Sequence, residues 1–256
     1  MIDALHISES GLKANQKWID HISNNVANMQ TAGFKKSAVQ FVDMVGAKST
    51  DANAAQIGDA TNGQGTRIGQ SITVFSAGPV KATGESLDVA INGSGFLEVM
   101  LPEGGMAYTR LGKLKLNNDG QLTTVSGYVL ADDIRVPSDI TAIEIDRMGN
   151  IRGKAGQAGE VLELGQLRIA HITNPESMEV LGEGLFATTQ ASGEAVIRQA
   201  GEDGAGELMQ GYLEMSNVDL VEEMTNLVMA QRAYQLNARI IQTVDQVMET
   251  INNLRR

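Results

Sequence analysis

The sequence predicts an α+β protein, in which two helices at the chain ends form a discontinuous coiled-coil domain and an antiparallel all-β domain lies between them. Three observations support this fold class: an apolar period of seven at both ends, a period of two in the middle, and a segment poor in large apolar residues after the first helix. The predicted boundaries are 1–35 for the N-terminal helix, 36–71 for an extended arm, 72–214 for the β-domain, and 215–256 for a C-terminal helix that pairs with 1–35.

The N-terminal segment predicts an amphipathic helix of about 30 residues. Polar residues dilute its apolar face, because Ser8 and Asn15 occupy the other expected core positions. Gly33 is suited to end the helix. The face predicted to pack against other helices consists of Leu5, Leu12, Ile19 and Val26.

The C-terminal segment predicts a longer helix, since no Gly or Pro follows residue 217. Ser216 and Asn217 indicate its start, and Asp219 follows where the helix dipole favours an acid. Its apolar series repeats every seven residues without a break: Leu220, Leu227, Tyr234, Ile241 and Met248.

The two apolar stripes must be buried, and the sequence leaves two ways to do so. The helices could pack on the central domain, or on each other and on neighbouring copies of the chain. A period of seven favours the second arrangement, because a helix on a globular domain has a broader apolar face.

The central region alternates apolar and polar residues, as in Leu114-Lys115-Leu116, and Asn117-Asn118-Asp119-Gly120 predicts a hairpin turn. Residues 46–70 contain mainly Gly, Ala, Asn, Gln, Ser and Thr. They predict a linker, or a segment ordered only against a partner. With 4% aromatic residues, the core must consist mainly of Leu, Ile, Val, Met and Ala.

The formal net charge of −11 lies mainly in the middle of the chain, since each end is near −1. This sign disfavours nucleic acid as a partner. The absence of cysteine excludes disulfides and thiolate metal sites. The N-terminus lacks a basic start and an apolar run, so we expect no cleaved signal peptide, and no stretch is apolar enough to predict membrane insertion.

No arrangement of residues predicts catalysis, a cofactor or a metal. His6 and His21 lie about four helical turns apart and cannot share an ion. Adjacent Asp132 and Asp133 point to opposite faces of a strand and do not form a catalytic pair. Gly93-Ser94-Gly95 lacks the third glycine of a dinucleotide loop and favours a tight strand connection.

Several blocks, in order along the chain, resemble the flagellar rod and hook proteins. They are Ser23-Asn24-Asn25-Val26-Ala27-Asn28, Thr31-Ala32-Gly33-Phe34-Lys35, Ser86-Leu87-Asp88-Val89-Ala90-Ile91-Asn92-Gly93-Ser94-Gly95-Phe96, Tyr108-Thr109-Arg110-Leu111-Gly112, Gln210-Gly211-Tyr212-Leu213-Glu214-Met215-Ser216-Asn217-Val218 and Gln231-Arg232-Ala233-Tyr234. The family motif residues among them are Asn24, Asn25, Asn28, Gly33, Phe34, Gln231 and Arg232. The intact last block, the Val221-Glu222-Glu223-Met224 segment and the Gly-rich arm are most similar to the major distal rod type.

The resemblance implies a structural subunit of the distal rod in the basal body, which spans the periplasm as a helical tube and transmits torque from motor to hook. It implies type III export without a cleaved signal peptide. The implied partners are copies of the chain, other rod and hook proteins, ring bushing proteins and the export apparatus. A minor distal rod subunit or a hook-type protein is the alternative within the family, and a cell-wall-binding or peptidoglycan-cleaving module is the alternative from another class.

Overall fold

In a computed structural model, the described residues are 2–45, 63–156, 160–202 and 204–254. The chain divides into two compact units. The first, here called the helical unit, comprises Met1–Ala27, Ser37–Ile72 and Asp219–Arg256, and the second, called the β unit, comprises Asn28–Lys36 and Thr73–Val218. Two terminal helices and a central set of antiparallel strands confirm the predicted α+β class.

Two α-helices and eighteen β-strands are defined within the described residues. In chain order they are α1 (Ile2–Ala27), β1 (Ser37–Val45), β2 (Gly63–Thr73), β3 (Val80–Ala82), β4 (Val89–Asn92), β5 (Leu97–Met100), β6 (Met106–Thr109), β7 (Leu114–Leu116), β8 (Leu122–Thr124), β9 (Val129–Leu130), β10 (Ile140–Ile145), β11 (Asn150–Ala155), β12 (Glu160–Gln166), β13 (Arg168–His171), β14 (Glu179–Gly182), β15 (Leu185–Ala187), β16 (Val196–Gln199), β17 (Glu207–Gln210), β18 (Tyr212–Glu214) and α2 (Leu220–Leu254).

The helical unit is built on the antiparallel pair of α1 and α2. Asn25 near the end of α1 contacts Glu223 near the start of α2, and Gly11 earlier in α1 lies against Asn237 further along α2. The two helices therefore run in opposite directions. Within the described residues, neither helix contains an apolar stretch long enough to cross a membrane.

The first helix is shorter than the sequence predicts, because it ends at Ala27 and not near Gly33. Residues 28–36 belong to the β unit, so the predicted boundary at residue 35 is wrong. Gly33 has a φ of +69° within this connection, and a Cβ there would lie 3.0 Å from the backbone of Arg110. The glycine is thus needed for a left-handed turn and a close backbone approach.

The second helix begins at Leu220, after the Ser216-Asn217 pair that was predicted to start it. Its N-cap is Asp219, whose Oδ1 accepts hydrogen bonds from the backbone N–H groups of Val221 (2.8 Å) and Glu222 (3.2 Å). Asn217 has a different role in the β unit, where its side chain accepts a hydrogen bond from the N–H of Lys36 and donates to the carbonyl of Val74.

The predicted arm over 36–71 contains strands that the sequence analysis did not predict. β1 pairs with β2, and Ser37 lies beside Ser71 while Thr66 lies beside Val42, so the strands are antiparallel. The sequence of β2 is rich in glycine and does not alternate apolar and polar residues, so it gives no local signal for a strand. β2 forms because it pairs with β1, which is distant in the chain. Residues 46–62 of the arm lie outside the described residues.

The β unit combines one seven-stranded sheet, in the order β14-β15-β6-β5-β9-β8-β7, with smaller sheets. The smaller sheets are β10-β11-β12, β13-β16, β17-β4 and β18-β3. The predicted hairpin around residues 117–120 is confirmed, since Leu114 pairs with Thr124 and Leu116 with Leu122. The tight connection at 93–95 is also confirmed between β4 and β5.

The core of the β unit is mainly aliphatic, as the composition predicts. Its largest buried cluster consists of Leu, Ile and Val with one Ala. A second cluster corrects this picture, because it groups Phe96, Phe186 and Tyr108 with the partly buried Phe75. The few aromatic residues are therefore concentrated where edge-to-face contacts add to burial.

The N-cap of α2 provides a test of the revised helix start. Asp219→Ala removes the acceptor for two N–H groups, and we expect it to lower the free energy of unfolding of the helical unit by about 1 kcal/mol. Asp219→Asn is the control, because asparagine caps about as well. Thermal unfolding followed by far-UV circular dichroism measures both. Equal losses in the two variants would contradict the assigned cap.

Candidate assembly surface of the helical unit

The face of α1 that meets α2 is lined by small and polar side chains. Its buried positions recur every three or four residues, and contacts with α2 are made by Gly11 and Asn25. The members of this inner row are Ser8, Gly11, Asn15, Ile22 and Asn25. Ser8 and Asn15, which were predicted to dilute the apolar stripe, are thus buried on the same face as Gly11 and Asn25.

The facing side of α2 follows the same pattern. Glu223 and Ala230 are its buried residues, and Asn237 follows seven positions later. A methyl group built at Gly11 would lie 2.8 Å from Nδ2 of Asn237, which shows how closely the helices approach there. Small residues allow this approach, and buried polar residues fix the register of a helix pair better than an apolar stripe.

The predicted packing residues lie at the margins of this interface. Leu5, Leu12, Ile19 and Val26 of α1, and Leu227 and Ile241 of α2, are half-buried, whereas Leu220, Tyr234 and Met248 are exposed. Contacts within the chain therefore leave these two apolar series of α1 and α2 only partly covered. Their contact with neighbouring subunits stays a prediction.

A second apolar row on α2 was missed in the sequence. Its members lie within about 60° of one another at 100° per residue. Its exposure is high, reaching 62% at Leu236 and 83% at Leu254. This outer row consists of Met229, Leu236, Ile240, Val247, Ile251 and Leu254. Their spacing of seven, four, seven, four and three was the available signal, but the unbroken heptad beside it dominated the pattern.

The amide of Asn25 joins three elements of the helical unit. Its Oδ1 accepts the N–H of Ser37 and its Nδ2 donates to the Ser37 carbonyl, both at 3.0 Å. The same Nδ2 donates to Oε1 of Glu223 at 3.2 Å. One motif side chain thus connects the end of α1, the start of β1 and the start of α2.

The other motif residues have separate positions. Asn24 is exposed near the end of α1, and Gln231 and Arg232 are exposed on α2. Within the β unit, Oδ1 of Asn28 accepts a hydrogen bond from the Thr31 hydroxyl at 3.3 Å, and Phe34 is half-buried. Within the helical unit, Asn25 lies at the α1–α2 interface, whereas Gln231 and Arg232 lie at exposed positions of α2.

The β unit contains a buried ion triad, made of Lys35, Arg110 and Glu214. Each of these residues belongs to a different motif block. Lys35 Nζ lies 2.6 Å from Glu214 Oε1, and Arg110 Nη1 lies 3.3 Å from Oε2. The N–H of Gly78 also donates to Oε1 at 2.9 Å. Arg110 further donates to the carbonyl of Gly93 at 2.7 Å.

The triad holds charges that are almost completely removed from water. Burial lowers the pKa of Lys35, while the hydrogen bond from Lys35 to Glu214 opposes that change. Burial likewise lowers the pKa of Arg110, and its attraction to Glu214 acts in the opposite direction. Two cations around one hydrogen-bonded carboxylate make a structural cluster, in which removal of one member leaves uncompensated buried charge.

The candidate catalytic carboxylates are engaged in surface contacts. Asp132 Oδ1 lies 2.6 Å from Nε of Arg168, and Asp133 accepts a hydrogen bond from Gln121 at 2.6 Å. The bonds from Gln121 and Arg135 lower the pKa of Asp133, opposite to the raised pKa that a general acid needs. In the described ranges, no group of three His, Asp or Glu side chains could hold a metal ion.

A groove of about 1420 Å³ runs along the side of α1 away from α2, and Met44, Thr66, Arg67 and Ile68 of the β1–β2 ribbon form its opposite wall. Its centre on α1 lies about 140° around the helix from the inner row. The α1 wall carries two acids followed by two bases: Asp3, Glu9, Lys13 and Lys17.

Three family models match successive parts of the chain. They are described as flagella basal body rod protein (residues 5–35), flagellar hook protein FlgE/F/G D1 domain (residues 90–153) and flagellar basal body rod FlgEFG protein C-terminal (residues 209–254). Together with paired terminal helices that keep apolar rows exposed, they define the class as a subunit of the flagellar rod and hook axis.

Full-length relatives narrow this class. The flagellar basal-body rod protein FlgG of Buchnera aphidicola subsp. Acyrthosiphon pisum is 41% identical over 99% of this chain and 100% of its own length. The FlgG of Bacillus subtilis is 36% identical over both complete chains, whereas the hook-basal body complex protein FlhP of that organism is 30% identical. The chain belongs to the FlgG family of flagellar basal-body rod proteins, and its role is that of a structural subunit of the distal rod.

The buried triad predicts a large effect of a single substitution. Lys35→Met keeps the length of the side chain but leaves Glu214 without one of its two cations, so we expect a loss of about 3–5 kcal/mol in the unfolding free energy of the β unit. Lys81→Met, at an exposed position, is the matched control and should change stability little. Denaturant unfolding measures both. A loss below the control's experimental error would contradict the assigned role.

The Asn25 contacts predict a loss specific to the helical unit. Asn25→Asp retains the acceptor for Ser37 N–H, but it removes the donor and places a carboxylate beside Glu223. We expect destabilisation by about 1–3 kcal/mol, seen as earlier thermal loss of helical circular dichroism. Asn252→Asp makes the same charge change at an exposed position on α2, and a similar effect there would show that net charge alone is responsible.

Proposed function

We propose that the chain polymerises through the helical unit into the wall of the distal rod, a helical tube that transmits torque from the motor to the hook. The observation that carries this proposal is the outer row of α2, which exposes six large apolar residues on a helix of 35 residues. A soluble monomer rarely exposes a continuous apolar patch of this extent.

One neighbouring subunit would not cover all the exposed apolar residues of α2. Beyond the outer row, Val221 is 75% exposed, and Met224 and Val228 are also exposed on another side of the helix. A helix that is apolar on several sides is normally buried on several sides. Within the described part of the helical unit, α1 packs against one side of α2, so other subunits would supply contacts to the exposed sides.

The contact would be heterologous, because helices of one subunit would meet a different surface of the next. A heterologous contact generates a closed ring or an open helical array, and a rod requires the open array. Copies of the chain would then be its main partners, and other rod and hook proteins would continue the array at its ends. In this proposal the rod spans the periplasm and contacts ring bushing proteins around it. The chain is exported unfolded, without a cleaved signal peptide.

The base of the arm supports a role in holding neighbours together. A two-stranded ribbon is marginal without further packing. Phe41 makes an edge contact with Trp18 of α1, with ring centroids 5.5 Å apart, but Phe41, Val42 and Met44 are all exposed. We infer that these side chains contact an adjacent subunit and limit bending between subunits.

A structural role also accounts for the absence of a catalytic pair at Asp132 and Asp133, whose carboxylates bond to neighbouring side chains. Membership of a rod family supports the same conclusion. The full-length similarity to FlgG proteins favours the major distal rod subunit over the minor one and over a hook-type protein.

Removal of residues 221–256 tests the proposal at the level of the whole helix. The β unit should remain folded while polymerisation is lost. Normal polymer formation by the truncated chain would contradict the proposal.

A double substitution tests the outer row more sharply. Leu236→Ser with Ile240→Ser removes two apolar anchors, each of which contributes about 1.5 kcal/mol or more on burial. We therefore expect a roughly hundredfold higher critical concentration for polymerisation, measured by sedimentation. Val161→Ser with Leu162→Ser, both exposed on β12, is the control and should polymerise normally. An equal effect of both pairs would point to general loss of solubility or fold.

A further inference from the structure

We propose that the groove along α1 receives α2 of a neighbouring copy, antiparallel to α1, so that each α1 lies between its own α2 and that of the next subunit. This inference rests on the proposed polymerisation and identifies which two surfaces meet.

The size of the groove favours a polypeptide segment as its occupant. At about 1420 Å³ it is larger than a typical small-molecule site. It extends along α1 from Asp3 to Lys17, which is about 21 Å or four helical turns. Ile7, Ala14 and Ile68 supply apolar surface within it. These dimensions suit an amphipathic helix that lies in a groove.

The α2 of the same chain packs on a different side of α1 and does not enter the groove. It packs on the inner row of α1, where Gly11 meets Asn237 and Asn25 meets Glu223. That row is about 140° away from the groove around the α1 axis. The groove can therefore receive α2 only from a different molecule.

The order of charges selects the neighbour's α2 and sets its direction. Along the groove wall of α1 the order is acid, acid, base, base, at Asp3, Glu9, Lys13 and Lys17. Beside the outer row of α2, Glu222 precedes Arg232 and Arg239. In an antiparallel arrangement Arg232 faces Glu9, Arg239 faces Asp3, and Glu222 approaches the two lysines.

The spacing of these charges agrees with that arrangement. Arg232 and Arg239 are about 10.5 Å apart along α2, and Asp3 and Glu9 are about 9 Å apart along α1. A parallel arrangement would place arginines beside lysines and Glu222 beside the acids. Since like charges across an interface cost several kcal/mol, the antiparallel direction is favoured. The same alignment places Met229 and Leu236 of the outer row along the groove, with Leu236 opposite His6. The outer-row members after Ile240 lie past the Asp3 end of the groove.

Disulfide cross-linking tests this alignment, because the chain has no cysteine of its own. In the full-length chain, His6→Cys combined with Leu236→Cys should give, after polymerisation and mild oxidation, a ladder of covalent oligomers on a non-reducing gel. A ladder is expected because each subunit links to the next. His6→Cys with Leu254→Cys is the control, since its second cysteine lies about 27 Å further along α2 and should give no ladder.

The outcomes separate this inference from the proposed function. Polymers of the first variant without a ladder, or an equal ladder from the control, would overturn the alignment while polymerisation stands. If the unsubstituted chain forms no polymer, the proposed function itself fails.

Charge reversal gives an independent test that leaves the outer row intact. Asp3→Lys with Glu9→Lys, or Arg232→Glu with Arg239→Glu, should each raise the critical concentration at low salt roughly tenfold or more, because like charges then face each other. All four substitutions in one chain should restore it to near the original value. A quadruple variant no better than either double variant would contradict the pairing.

Discussion

The contacts of Asn25 are the constraint on which the helical unit depends. One amide pairs with both backbone groups of Ser37, much as a neighbouring strand would, and also donates to Glu223. The end of α1, the start of β1 and the start of α2 are thereby held in one register. Because the amide and the Glu223 carboxylate are buried, a shift of either helix would leave polar groups without these bonds, which is costly.

This constraint explains how the apolar surface is distributed. An apolar inner row would allow the helices to slide or to pair with the wrong partner, since such contacts are non-directional. A row of Ser8, Gly11, Asn15 and Asn25 instead permits one register and a close approach, at some loss of stability. The large apolar residues of α2 then remain outside, where they can serve contacts between molecules. The interface within the helical unit is thus largely polar, and much of the apolar surface of α2 is exposed.

The sequence predicted the fold class, both helices and the main hairpin, because these follow from local periodicity and turn chemistry. It did not predict the ends of the helices. Asn25 was named only as a motif residue and Asn217 as a motif residue and an indicator of the helix start, although their roles depend on Ser37 and Val74, which are distant in the chain. The β1–β2 pair was missed for the same reason. The spacing of the outer row follows the helical period, so the sequence contained this signal. It was missed because the unbroken seven-residue series beside it is more regular.

The ion triad applies the same principle to the β unit. Glu214 receives Lys35 from one chain segment, Arg110 from a second and the N–H of Gly78 from a third. A buried cluster of this kind adds less stability than well-packed apolar side chains of similar volume, but it tolerates few alternative arrangements. Asn217 acts nearby by joining Lys36 to Val74 and Ser76. The segments that lead into and out of the β unit are thus aligned by directional bonds. Because the loss of any of these bonds leaves a buried polar group without that partner, the bonds specify the alignment of these segments more strictly than burial of apolar surface alone would.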